Sequence, residues 1–329
     1  MTTPAPSAPG EGTGSPVTYR HNAARIEFRR PIRRLGVEKL LLAIDNRRRS
    51  IEQFRQEVPR EQLLADIGAT TLIFAITAGR TGTTFLATLL DAVPGVDARH
   101  EPRPEFERRL RRIQRDPAAA TDFWLHYKLP AIRDLRTDAY VELSNVFGKG
   151  FLEPLLALGV VPHVLVLRRQ PRAVARSYLE RYTVPGRTKL GWEYLLHPGD
   201  PNTLAAPGWQ RFSDYQMCFW YALEMERRQR DLPQLVRERG GVVIDASATE
   251  LGDWDTFHDM LQRLGLVDER LDLEQMRRMH AEITGVVHNK NPRAATMDGD
   301  FAREEEQVWA AVAPGDPGLR AWVEARYAG

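Results

Sequence analysis

The pattern of apolar and polar positions changes character near residue 70. Residues 71–76 (Thr-Leu-Ile-Phe-Ala-Ile) are a short β-rich apolar run, followed by a Gly/Thr turn and then by the helical-looking 85–90 (Phe-Leu-Ala-Thr-Leu-Leu). Strand, glycine turn and helix in that order open a parallel α/β unit. Residues 140–143 predict a second strand and 161–167 the clearest one, apolar along most of its length as burial on both faces requires. A further strand is expected at 241–245. Helices are expected at 105–115, 118–135, 151–158 (stopped by Gly159), from Pro171 to about 181, and 210–239. Pro171 is well placed for a first helical position. The Pro- and Gly-rich stretch 184–209 reads as a long loop, a feature that in compact domains is usually functional or disordered. The remainder is mostly helical, broken at 286–293, and no internal repeat is visible. Strands alternating with helices predict an α/β fold: a three-layer P-loop-type domain with a mostly parallel central sheet flanked by helices.

Ahead of this domain, 1–19 is a Pro/Gly/Ser/Thr segment without the apolar core of a signal peptide. It lacks the apolar area needed to offset ordering entropy, so it is expected to be a disordered tail. Residues 20–69 form a basic arm of helical character. Its 20–60 portion carries 12 basic and 5 acidic residues, with apolar positions such as Ile26, Phe28, Ile32 and Leu35 interleaved among arginines. That charge suits an anionic partner or a membrane surface. An amphipathic helix packed on the domain with solvated arginines explains it equally, and is preferred.

Composition narrows the classes. The chain has 329 residues, a net charge of +2 and one cysteine, Cys218. A disulfide framework and a Cys-rich zinc site are therefore excluded, and a cytoplasmic location fits. The basic residues are 41 Arg and 5 Lys, a bias typical of GC-rich coding. Outside the arm the charge is slightly negative, which argues against a nucleic-acid-binding protein. No apolar window approaches the roughly 20 residues of a membrane span. A homodimer is compatible with this composition.

The most informative stretch is Thr77-Ala-Gly-Arg-Thr-Gly-Thr-Thr84, between the first strand and helix. Free N–H groups and the helix dipole make an anion site there. Glycines let the backbone wrap the anion, and threonine hydroxyls add donors. The triphosphatase form G-x-x-x-x-G-K-[ST] has lysine where this chain has Thr83, which argues against ATP or GTP. A second constellation is Val164–Tyr178, in which Arg169 starts Arg-Gln-Pro171 and Ser177 follows eight positions later. Arg169 leaves a strand end and Ser177 lies two turns along the next helix, so both can reach one phosphate, the arginine in bidentate fashion.

Together these stretches resemble the sulfotransferases that use 3′-phosphoadenosine 5′-phosphosulfate (PAPS). Their phosphosulfate loop reads [KR]-[ST]-G-[TS]-[TS], matched by Arg80-Thr-Gly-Thr-Thr84. Their second signature is an apolar strand, Arg-x-Pro and a serine at the eighth position, matched by Arg169 and Ser177. The resemblance covers roughly 71–293 and makes 70–329 the sulfotransferase domain. It implies that Thr81, Gly82, Thr83 and Thr84 cradle the 5′-phosphate, that Arg80 contacts the phosphosulfate, and that Arg169 and Ser177 hold the 3′-phosphate. A looser match, His288–Arg293, offers Asn291 and Arg293 as further 3′-phosphate contacts. PAPS would be the donor and adenosine 3′,5′-bisphosphate (PAP) the product, with no metal. The acceptor would be a hydroxyl or amine of a small molecule or carbohydrate.

Transfer to such a group needs in-line geometry, charge stabilisation and a base for the acceptor proton. Family members that use glutamate often carry it about twenty residues beyond the phosphate loop, where this chain has Ala98-Arg-His-Glu-Pro102. Glu101 is the expected base, with His100 second. The alternative base position, near Glu142-Leu-Ser-Asn145, holds no histidine, though Ser144 and Asn145 are candidates for lining the pocket. Arg80 would act by its permanent charge. Trp192, Tyr194 and Trp209 border the Pro/Gly-rich stretch, as acceptor contacts or as anchors of the loop. A P-loop kinase or NTPase and a catalytically silent nucleotide-binding protein are the competing readings.

Overall fold

The computed structural model describes residues 51–285 and 300–328. The tail at 1–19, most of the basic arm, the break at 286–293 and with it Asn291 and Arg293 lie outside the described residues.

The fold is α/β, a three-layer arrangement around a five-stranded sheet. Its strands are β1 (Thr71–Thr77), β2 (Val96–Arg99), β3 (Ala139–Glu142), β4 (His163–Arg168) and β5 (Val243–Ser247). Their order is β2-β3-β1-β4-β5 and every pairing is parallel. A strand alternates its side chains between two faces, and here both faces are covered. Leu72, Phe74 and Ile76 of β1 join one core with Val164 and Val166 of β4. Ile73 and Ala75 join another with Leu165 and Leu167. This is why the runs read as nearly continuous apolar segments.

The first core is closed by α1 (Arg60–Ile67), α3 (Glu107–Ile113), α4 (Ala118–Phe123), α5 (Leu129–Arg133) and α6 (Leu152–Ala157). Phe74 sits at the centre of its aromatic cluster, stacked on Phe147 and edge-on to Phe106 and Trp124. Leu63 and Ile67 are fully buried in this layer, so the described end of the arm packs on the domain. The opposite face is covered by α2 (Thr83–Asp91), α10 (Trp254–Arg263) and α11 (Leu273–Gly285). A third core gathers α7 (Pro171–Glu180), α9 (Asp214–Arg237), α12 (Phe301–Val312) and α13 (Leu319–Arg326).

Three elements differ from the sequence pattern. The helix expected at 118–135 is α4 and α5 joined by one π-helical turn, Trp124–Lys128. The stretch 184–209 is not wholly a loop: it holds α8 (Lys189–Tyr194), started by Thr188, whose hydroxyl accepts from the Gly191 N–H. Strand β2 had no counterpart in the expectation. Its four residues, Val-Asp-Ala-Arg, hold no apolar run and pair only with β3.

Candidate active site

The carboxyl ends of the five parallel strands open into one cleft of about 1050 Å3. β1 contributes Gly79 and Arg80, β2 His100 and Glu101, β3 Asn145, β4 Arg169, and β5 Ala248 and Thr249. Crevices at the carboxyl ends of parallel strands, where the chain leaves neighbouring strands in different directions, are where open α/β sheets bind ligands. Here β1 is that strand, with β3 on one side and β4 on the other.

The β1–α2 turn is built to keep its backbone facing the cleft. Gly79, Arg80 and Gly82 all have positive φ (80°, 63° and 87°). For Arg80 this is a sparsely populated conformation, a kind of strain that proteins concentrate at functional sites. Beneath the turn the Thr77 and Thr81 hydroxyls meet at 2.6 Å, and the Gly79 N–H donates to Thr77. The Ala78 carbonyl accepts from two buried phenols, Tyr178 at 2.6 Å and Tyr221 at 2.9 Å. Helix α2 starts at Gly82 with no side-chain cap. Its first N–H groups therefore have no partner in the helix and face the side where an anion would sit.

The two sequence motifs meet directly. Arg80 Nε donates to Ser177 Oγ at 3.2 Å, and Arg169 Nη1 donates to the Arg80 carbonyl at 2.6 Å. Burial pushes both guanidinium pKa values down; the charge of Arg181 adds to the effect on Arg80. Neither guanidinium makes an ion pair with a carboxylate among the described residues. Arg172, Arg176 and Arg181 also line the cleft. Arg172 is committed to Glu305, and Arg176 lies over the Phe301 ring.

Of the remaining expected residues, Gly82, Thr83 and Thr84 line the cleft. Thr81 does not: it is 3% exposed and its hydroxyl is spent on Thr77, so as a side chain it braces the turn from below. His100 and Glu101 both line the cleft, and His100 Nε2 is 3.0 Å from Thr83 Oγ1. Glu101 has a φ of 51°. Asn145 lines the cleft, whereas Ser144 is buried and accepts from the Val146 N–H. Tyr194 and Leu190 form the side nearest α8. Trp192 stacks on His197 with Arg111 4.8 Å from the centre of its ring, and Trp209 is buried beside His197. Among the three aromatics, then, Tyr194 borders the cleft while Trp192 and Trp209 anchor the 184–209 segment.

Three residues around the site carried no usable signal in the sequence. Tyr178 follows Ser177 but gave no hint that its hydroxyl would hold Ala78. Lys149 is fully buried, and its Nζ donates to the Tyr194 carbonyl at 2.6 Å and to Asn145 Oδ1 at 3.4 Å. Burial pushes its pKa well below the lysine range, opposed by the charge of Glu101. Behind β3, Lys128 and Glu142 form a fully buried pair at 2.8 Å, joined by the Tyr140 hydroxyl. Glu142 therefore points away from the cleft, into the first core layer.

The fold and cleft define an α/β protein with an arginine-lined cleft at the strand ends. No protein-family model and no curated protein matches the chain.

Proposed function

We propose that the protein is a PAPS-dependent sulfotransferase. One observation carries this reading: half-buried Arg80 and exposed Arg169 make no ion pair with a carboxylate among the described residues, and converge with Ser177 at an uncapped helix start. Two guanidiniums brought together at a helix start, with Arg172, Arg176 and Arg181 around them and Glu101 and Glu180 as the carboxylates in the cleft lining, suit an anion with more than one charged group. PAP offers such groups at its two ends, and the cleft volume leaves room for an acceptor beside it.

In this reading the sulfuryl group passes from the phosphate oxygen of PAPS to an acceptor hydroxyl or amine. The sulfur–oxygen bond to the phosphate breaks, PAP departs with the electron pair, and a bond from sulfur to the acceptor forms. The acceptor proton goes to the Glu101 carboxylate. Arg80 and the α2 N–H groups stabilise negative charge on the departing phosphate.

A thermal-shift comparison of PAP with ATP plus magnesium tests this. PAP is expected to raise the melting temperature, since a ligand that binds only the folded state stabilises it by mass action. Stabilisation by ATP–magnesium and none by PAP would replace this reading with a kinase or NTPase.

A further inference from the structure

Lys149 has a role that the anion site does not by itself explain. Its amine sits in the floor between the phosphate-binding turn and the α8 segment, 5.0 Å from the centre of the Tyr221 ring. The N–H groups go to two oxygens, the Tyr194 carbonyl and Asn145 Oδ1. A lysine amine at hydrogen-bond distance from a carboxamide selects the oxygen, because it brings donors. The orientation of Asn145 is thereby set: Oδ1 faces Lys149, and Nδ2 faces the turn. Nδ2 lies so close to Gly79 that a Cβ there would approach it to 2.9 Å. Among the described residues the Nδ2 hydrogens have no acceptor, while Asn145 lines the cleft.

We propose that Asn145 is an anion-binding residue of the cleft, presenting its amide N–H groups beside Gly79, and that Lys149 is the positioning residue that holds it in that orientation. The inference deepens the reading above and rests on its anion site, not on the identity of the nucleotide. Asn145 adds a neutral donor next to the turn's own N–H groups, at the β3 end of the cleft and across from Arg169 at the β4 end. It also links the turn to the acceptor side, since the same lysine holds the carbonyl of Tyr194.

Asn145→Asp tests this with little change in shape. The new carboxylate keeps an oxygen toward Lys149 and gains an ion pair with it, but it removes the donors and sets a negative charge beside the anion. Isothermal titration of the full chain with inorganic pyrophosphate, and separately with PAP, is expected to show affinity falling about tenfold or more, the loss of a hydrogen bond to a charged group. The melting temperature should stay level or rise. Lys149→Met should weaken binding by a smaller factor, because the amide is then free to turn.

Asn145→Asp binding both probes within about twofold of the parent would overturn the inference and leave the sulfotransferase reading standing. Affinity and melting temperature falling together would also overturn it, in favour of a structural role. Pyrophosphate binding that depends on Asn145, with no binding of PAP, would support the inference and overturn the nucleotide reading. Binding of neither probe by the parent protein would overturn both.

Discussion

At the residue scale the cleft places two titratable side chains next to each other at the end of β2. His100 is held by Thr83, the first residue of α2, so its ring is tied to the β1–α2 turn. Among the described residues Glu101 has no hydrogen bond of this kind, yet its charge is felt by Lys149 and Tyr178 beneath the floor. In the proposed reaction a base must be oriented toward the acceptor and keep a lone pair for its proton, a requirement that the proposal assigns to Glu101. Glu101→Gln keeps the side-chain shape and removes the basicity. PAP affinity should stay the same or rise slightly, because a negative charge near the anion is lost. Transfer to an acceptor found by a mass-shift screen should fall about 10²–10⁴-fold, the usual contribution of a positioned general base. Undiminished turnover would move the role to His100, and His100→Ala would then be the variant that loses it.

At the scale of elements, the β1–α2 turn shows what Gly79 does. Its φ of 80° already disfavours a side chain, and a Cβ would come within 2.3 Å of the Tyr178 hydroxyl. That hydroxyl holds the Ala78 carbonyl, so it cannot withdraw without releasing the turn. Gly79→Ala should destabilise the fold by about 2–3 kcal/mol, the left-handed penalty plus the displaced buried hydrogen bond. PAP binding should fall more steeply than stability, and equal denaturant midpoints for parent and variant would contradict the clash. The strand–turn–helix unit was readable because its signals are local: an apolar run, two glycines, then threonines and an amphipathic helix. β1, β3, β4 and β5 were recognised for the same reason, with ends shifted by one or two residues. β2 was not, because Val96–Arg99 alternates over only four residues, holds no apolar run and pairs with β3 alone. α8 was hidden by the Pro and Gly around it, though Thr188 at its start is a recognisable cap. In the site, the meeting of Arg80 with Arg169 and Ser177 follows from the two motifs and the family they resemble. The inward turn of the Thr81 side chain onto Thr77 was not legible, because facing in or out of a turn depends on backbone dihedrals. Lys149 was invisible, since nothing local marks a lysine whose partners come from Asn145 and from Tyr194, 45 positions away.

At the scale of the whole molecule, buried charge behind the site couples folding to pH. The first-core side of the sheet holds the Lys128–Glu142 pair, and Glu107 sits nearby at the start of α3. Burial pushes the Glu107 pKa up from 4.5 to about 7, with the charges of Glu105 and Glu101 adding to it and Arg108 opposing. In the unfolded chain the group loses its proton near its ordinary pKa, so across the window from 4.5 to about 7 the folded protein binds a proton that the unfolded chain does not. Stability must therefore fall as pH rises through that window, with the full cost present above it. Each pKa unit is worth about 1.4 kcal/mol, so the ceiling is about 3 kcal/mol, reduced by whatever solvent reaches the carboxyl. Glu107→Gln removes the titration and keeps the shape. Its melting temperature should match the parent below pH 4.5, where Glu107 is neutral in both states, and exceed it by several degrees at about pH 8. The other ionisable groups are common to both proteins, so the difference between the two curves isolates this one. A constant difference across the whole pH range would show that Glu107 gains and loses its proton alike in the folded and unfolded chain, and that the acidic cluster beside Glu101 does not store this cost.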